Sequence, residues 1–311
     1  MAEREIHKTL VIPVYKNEEN IPDLLNALLG IAEQQGPCFE VVFVVDGSPD
    51  RSHELLSEAL PEAPYATKLV SLSRNFGSFA AVRVGMEQAS GPLVAVMAAD
   101  LQEPPELIHE LFAGLESGVT DVVFGQRVGR EDDWIQKTLS SLYWALYRRL
   151  ILPDMPKGGV DVFACNERVK NAVLEICEPN SSLVAQLFWV GFRRLLVPYK
   201  RRKRTKGMSG WAYSRRVRYM LDSIFSYSDF PILAILWIGV GGTILSAFIG
   251  GVTLVAKLLG LIEVPGYTTL LLAGLFFGSM ILMTQGIVGC YLWRAFENTK
   301  RRPLSIVESI E

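Results

Sequence analysis

Residues 231–256 and 268–293 contain no Asp, Glu, Lys or Arg, and each stretch is longer than the roughly 20 residues an α-helix needs to cross a hydrocarbon core of about 30 Å. A helix that is apolar on every side must be covered by lipid or by a large partner domain. The spacing therefore predicts two transmembrane helices. Only Gly260 to Gly266 separates them, which makes the pair a hairpin with both outer ends on one side. Arg215, Arg216 and Arg218 before the first span, and Lys300, Arg301 and Arg302 after the second, assign that side to the cytoplasm by the positive-inside rule. Lys257 is placed to snorkel towards an interface. Gly239, Gly241, Gly242, Ser246, Gly250 and Gly251 leave room for close helix packing, either within the hairpin or between subunits of a homo-oligomer. With no ionisable residue inside them, the spans read as an anchor rather than a transport path.

The rest of the chain alternates short apolar runs of strand type (10–14, 41–45, 68–72, 94–99, 122–124) with helix-length segments such as 21–34, 78–89 and 106–116. That alternation predicts an α/β domain with a mostly parallel, Rossmann-like sheet. The expected organisation is a cytoplasmic α/β domain over 1–210, an amphipathic juxtamembrane helix over 211–229, the transmembrane hairpin over 230–295 and a cytoplasmic tail over 296–311. Met1 to Leu10 carries Glu and Lys without an apolar core, so no cleavable signal peptide is expected. Cys38, Cys165, Cys177 and Cys290 and the histidines His7, His53 and His109 lack metal-ligand spacing, which argues against zinc and against a disulfide framework. The net charge of −2 conceals a basic stretch from Arg193 to Arg218 that holds no acid. Its position before an apolar span points to an anionic lipid surface rather than to nucleic acid.

The chemistry concentrates where strands end. The 94–99 run leads into Asp100, Leu101, Gln102, Glu103, Pro104 and Pro105, so a carboxylate stands at the carboxyl end of an apolar strand, just ahead of a helix start. Open α/β sheets bind ligands at that edge. Mg²⁺ or Mn²⁺ bound to a diphosphate requires one or two hard oxygen donors from the protein and takes its remaining ligands from water and substrate. Two other strands end in the polar turns Tyr15-Lys16-Asn17-Glu18-Glu19 and Asp46-Gly47-Ser48-Pro49-Asp50. A third ends in Ser73-Arg74-Asn75-Phe76-Gly77, which opens a helix whose first N–H groups suit a phosphate.

In this order, IPVYKNEENI, VDGSPD, SRNFGSFAAVRVGMEQASG and DLQEPPELI resemble family 2 glycosyltransferases of the GT-A fold. The closer resemblance is to the polyprenyl-phosphate glycosyltransferases related to dolichol-phosphate mannose synthase and the bactoprenol glucosyltransferases. It covers nearly the whole chain, and it implies roles for individual residues. Pro13, Tyr15, Glu18 and Asn75 would line the nucleotide pocket and Asp46 would meet base or ribose. Asp100 with Gln102 would hold the divalent metal. Arg127 would face the donor diphosphate or the acceptor phosphate, Asp161 would lie near the acceptor, and Arg202, Arg204 and Ser209 would bind the acceptor phosphate. Asp100, Arg127 and Asp161 form the expected catalytic set.

Two departures bear on this. Val45 and Ala98 stand where the family carries the first acid of each pair, leaving Gln102, Glu103 and the diphosphate to complete the coordination. The resemblance implies an inverting transfer of a hexose from a nucleotide sugar, UDP-glucose ahead of other donors, to undecaprenyl or another polyprenyl phosphate at the bacterial inner membrane. A lipid monophosphate is mostly dianionic near neutral pH, its second ionisation lying around 6, so its oxygen needs no strong general base. The two missing acids also fit an impaired paralogue acting as a scaffold or regulator. A processive polysaccharide synthase would need further spans.

Overall fold

The computed structural model describes residues 5–128, 148, 154–156, 160–178, 181–202, 228, 230–260 and 266–311. Arg204, Ser209 and, apart from Ser228, the expected juxtamembrane helix 211–229 lie outside the described residues. The chain divides into two units, Met1–Tyr219 with Arg302–Glu311, and Met220–Arg301.

In the first unit the described elements run β1 (Lys8–Val14), α1 (Ile21–Gln35), β2 (Phe39–Val45), α2 (Ser52–Ala59), β3 (Ala66–Leu72), α3 (Ser78–Gln88), β4 (Leu93–Val96), α4 (Pro105–Glu116), β5 (Val122–Arg127), β6 (Val160–Asn166), α5 (Glu167–Leu174), α6 (Leu183–Trp189), β7 (Arg194–Tyr199) and β8 (Val307–Ile310). The strands form one eight-stranded sheet in the order β7-β5-β6-β4-β1-β2-β3-β8.

Local sequence explains these elements. All of β2, FEVVFVV, is buried, as expected of a central parallel strand covered on both faces. In α1 the apolar residues Ile21, Leu24, Leu28 and Ile31 recur at helical spacing and are buried, while Pro22 occupies the first turn, where its missing N–H is not needed. The same logic starts α4 at Pro105 and turns Leu107, Ile108, Leu111, Phe112 and Leu115 inward. These faces share one core with Leu10, Phe39, Phe43 and Val123, and each fully buried side chain of this kind contributes about 1.5–3 kcal/mol. Helix α3 approaches the sheet closely because residue 85 is glycine: a Cβ there would lie 2.1 Å from Val11 Cγ1.

Strand directions decide where the ends collect. β1 is parallel to β2 and β4, and β2 to β3. β6 runs antiparallel to both β4 and β5, and β7 is parallel to β5. The carboxyl ends of β1, β2, β3, β4, β5 and β7 and the amino end of β6 therefore share one edge. β8 pairs antiparallel with β3, Val307 opposite Leu72 and Ile310 opposite Val70, so residues 307–310, expected only as tail, complete the sheet. At the opposite end of the sheet, β7 accommodates Pro198 because an edge strand can do without a ladder N–H.

An ion pair between buried Asp121 and the largely exposed Arg193 side chain ties the start of β5 to that of β7. Asp121 accepts from Arg193 Nε at 2.9 Å, Arg193 Nη2 at 3.1 Å and Asn166 Nδ2 at 3.0 Å. The Arg193 guanidinium, outweighing the effect of burial, holds the Asp121 carboxyl well below the usual carboxylate range.

The second unit holds α7 (Phe230–Leu258) and α8 (Tyr267–Thr299). Among the described residues, Phe276–Thr299 is the one helical stretch long and apolar enough to cross a membrane, and Pro231–Gly242 is a shorter apolar stretch. The helices thus provide one candidate span by length and composition, where the sequence predicts two. Large apolar side chains such as Trp237, Phe248, Leu282 and Leu292 face outward. At the end of α8 the Lys300 ammonium lies over the rings of Trp293 and Phe296, 5.1 and 4.5 Å from their centroids, the amphipathic grouping that suits a membrane–water boundary.

Candidate active site at the carboxyl edge of the sheet

The turns after β1 and β2 are laced together. Lys16 N donates to Ser48 Oγ at 2.8 Å, Asn17 N to Ser52 Oγ at 3.2 Å and Glu18 N to Asp50 Oδ2 at 3.1 Å. In return Glu18 Oε2 accepts from Arg51 N at 3.0 Å, at the start of α2. Burial pushes the Asp50 carboxyl up, but hydrogen bonds from Ser48, Glu18 N and Ser52 outweigh it and leave the group below its ordinary value. Glu18, expected in the nucleotide pocket, thus also caps a helix. Tyr15 stands exposed at the rim and Pro13 is partly buried in β1.

Asp46 governs the third loop. Its two carboxylate oxygens accept from Phe76 N at 2.7 Å and Gly77 N at 2.8 Å, and its carbonyl accepts from Asn75 Nδ2 at 3.3 Å. The group is 2% exposed, and burial raises its pKa against the opposing pull of the two N–H groups and Arg74. The residue expected to touch base or ribose therefore shapes the loop that carries Asn75. Arg74 stacks over Phe76, its guanidinium carbon 4.1 Å from the ring centroid.

Gly47 permits this contact between loops. It has φ +53°, and a Cβ would sit 2.3 Å from Arg74 C and 2.5 Å from Asn75 N. Because both obstacles are backbone, Gly47→Ala must displace the Ser73–Gly77 loop. The expected result is nucleoside diphosphate affinity about tenfold weaker, or about 1.4 kcal/mol, together with a loss of thermal stability from the strained backbone at residue 47. Titration calorimetry that found wild-type affinity would contradict this role for the loop.

The acidic segment follows β4. Leu101, between Asp100 and Gln102, has φ +52°, and Lys16 across the edge has φ +54°. Non-glycine residues in that region cost about 1–3 kcal/mol each and cluster at functional sites. Asp100 is partly exposed, and its Oδ1 lies 3.4 Å from Gln102 N. Gln102 Oε1, the atom a cation would use, accepts from Arg201 Nη2 at 2.6 Å, while Gln102 Nε2 donates to Arg202 O at 3.3 Å. Among the described residues no three Asp, Glu, His or Cys side chains gather as a metal cage. The donor set that fits is Asp100 together with substrate and water oxygens, the arrangement Mg²⁺ and Mn²⁺ adopt on nucleotides. Glu103, buried to 1% exposure, is held above its usual pKa by burial and then by the Asp100 charge, against the pull of Arg201 and Arg127.

Arg127 ends β5, partly buried. On the neighbouring strand, Gly125 pairs with Val162 and Gln126 with Val160, so Asp161 is the extra residue of a β-bulge, a device that redirects strands near active sites. β7 then delivers the basic segment: Arg202 N donates to Gln102 O at 2.8 Å and Arg202 Nη2 lies 3.5 Å from Glu106 Oε2. Pro13, Tyr15, Glu18, Asp46, Asn75, Asp100, Gln102, Arg127, Asp161 and Arg202 thus all fall on one edge of one sheet. Sequence reasoning passed over Arg201, because in a run of cations nothing marks the one that meets the acidic loop.

The glycosyl transferase family 2 domain is matched by residues 9–176. Over 307 residues the chain is 33% identical to an uncharacterized glycosyltransferase, sll0501, of Synechocystis sp., covering 98% of this chain and 96% of that one. It is 28% identical over 302 residues to the bactoprenol glucosyl transferase of Shigella phage SfV, covering 97% and 98% of the two. The mannosyltransferase PcManGT of Pyrobaculum calidifontis, solved in complex with GDP-Man and Mn²⁺, superposes with a TM-score of 0.50 at 17% identity, over 71% of this chain and 63% of that one. That last likeness is one of fold.

Proposed function

Since the chain belongs to glycosyl transferase family 2 and is a glycosyltransferase, we propose that it transfers a hexose, with UDP-glucose as donor, to undecaprenyl or another polyprenyl phosphate at the bacterial inner membrane. The observation that carries this reading is the joining of the Asp100 loop to the first residues of the basic segment through Gln102 and Arg202. A diphosphate site and a cluster of cations suited to a second phosphate then adjoin on one sheet edge. The likeness to a bactoprenol glucosyl transferase along nearly the full length of both chains supports the same acceptor.

In this reading the three interlaced loops bind the nucleotide, and Arg127 faces the phosphates. A divalent cation held by Asp100, with Gln102 if its amide oxygen is released from Arg201, would neutralise charge on the departing diphosphate. The lipid phosphate oxygen attacks the anomeric carbon as the bond to the diphosphate oxygen breaks, so the configuration inverts. Asp161 orients sugar or acceptor, and Arg202, Arg204 and Ser209 receive the acceptor phosphate.

A polyprenyl chain gains about 0.8 kcal/mol for each methylene it buries in lipid, so the enzyme has to go to its acceptor. Phe276–Thr299 is the candidate span. Because the chain rejoins the sheet in β8 after α8, one span requires a second, for which α7 is the candidate, and the basic residues flanking the pair favour a cytoplasmic catalytic domain.

The test incubates purified protein and polyprenyl phosphate with a panel of nucleotide sugars, identifying the lipid product by mass and its anomeric configuration by NMR. Inverted polyprenyl-phosphate hexose is the expected product. Retention, or sugar found only on other acceptors, would refute the proposal.

A further inference from the structure

Glu103 is an unfavourably buried group at the site. Its side chain is 1% exposed, and its Oε2 accepts no hydrogen bond among the described residues. Buried polar atoms are nearly always paired, and a neutral or apolar side chain would be easier to bury here. Stability therefore does not explain a carboxylate at this position. Its surroundings do. Glu103 Oε1 lies 3.9 Å from Arg201 Nε, and the same guanidinium donates through Nη2 to Gln102 Oε1 at 2.6 Å. Arg127 also acts on the Glu103 charge. Tyr199, the last residue of β7, is 5% exposed and responds to both Glu103 and Arg127. Three residues further on, Arg202 is bonded to Gln102 through its own N–H and carbonyl.

Sequence reasoning offered Glu103 as a metal ligand, but the geometry turns it towards the cations. We propose that Glu103 is a positioning residue: through Arg201 it sets the register of the basic segment against the Asp100 loop, and so fixes where the acceptor phosphate lies relative to the donor. This rests on the transfer to a lipid phosphate proposed above. A glutamine of the same shape could accept a hydrogen bond but would give Arg201 no counter-charge, so the segment would lose its register while the fold kept its packing.

The experiment uses the full chain in detergent or nanodiscs, with Glu103→Gln, Arg201→Gln and the double variant. It measures kcat, apparent KM for polyprenyl phosphate, UDP affinity by calorimetry and thermal unfolding. Each single variant is expected to lower kcat/KM for polyprenyl phosphate at least tenfold while UDP affinity stays within twofold. Glu103→Gln should unfold no earlier than wild type, and the double variant should be no worse than the poorer single, as for two residues acting through one contact. The assignment is overturned if Glu103→Gln keeps wild-type kcat/KM, if the two losses multiply, or if UDP affinity or stability falls in step with activity. Should Glu103→Gln not fold, Arg201→Gln decides alone, an unchanged KM for polyprenyl phosphate overturning it. Wild-type protein that transfers nothing to polyprenyl phosphate would instead refute the function proposed above.

Discussion

Asp100→Asn is expected to reduce transfer by about three orders of magnitude in kcat, the largest effect of any single substitution at this edge. Removing one preorganised group that stabilises developing charge costs about 10²–10³ in rate, and among the described residues the neighbouring carboxylates are otherwise engaged. Residues 98 and 45 are Ala and Val, Asp46 is committed to Phe76 and Gly77, and Glu103 is buried against Arg201. Asparagine keeps the shape and can still accept from Gln102 N, so the strained turn at Leu101 should survive and the variant should unfold with wild type. The check is steady-state transfer under saturating Mn²⁺, alongside wild type treated with EDTA. Both should fall to the same residual rate. If Asp100→Asn stays within threefold of wild type, or if EDTA has no effect, the metal assignment fails.

Buried strands and amphipathic helices were legible in the sequence because their signal is local. The apolar runs at 41–45 and 68–72 lie inside β2 and β3, and the expected helices 21–34 and 106–116 differ from α1 and α4 by one residue each. The apolar 94–99 run predicts strand throughout, but β4 ends at Val96. Met97 N still donates to Val11 O at 3.1 Å, and Ala99 stays buried in the core beyond the paired residues, so the apolar signal runs past the end of the strand. β7 was missed because RLLVPY begins with a cation and contains a proline, both tolerated on an edge strand. The reversal of β6 depends on partners far along the chain and leaves no mark in its own residues. At the site, residue types gave the sheet edge correctly, but a sequence does not reveal which acids are already engaged. Asp46 and Glu18 look like ligands for a substrate and are found bonded to backbone N–H groups as well.

The same limit applies most strongly to the last strand, where truncation should expose its role. VESI alternates weakly, carries a glutamate and is largely exposed, which suits a short sheet edge that must avoid pairing with other chains. Yet Leu69 and Glu311 exchange two backbone hydrogen bonds of 2.9 Å, and Ser73 N donates to Ile306 O at 3.0 Å. Ser73 is the first residue of the loop that Asp46 holds through Phe76 and Gly77, so β8 braces that loop from the side away from Asp46. Removing residues 303–311 deletes these three bonds and the rest of the β3–β8 ladder, at about 1 kcal/mol for each bond, and uncovers the edge of β3. We expect the sheet domain to lose at least about 3 kcal/mol of stability, to aggregate more readily, and to bind UDP at least tenfold more weakly because Ser73 is released. Glu311→Gln is the control. It alters the side-chain contacts to Ser57 and His53 but leaves the backbone ladder, so stability and UDP affinity should remain near wild type. A truncated protein with wild-type UDP affinity would show that the loop stands without β8. If Glu311→Gln matched the truncation, the side chain rather than the ladder would be the brace.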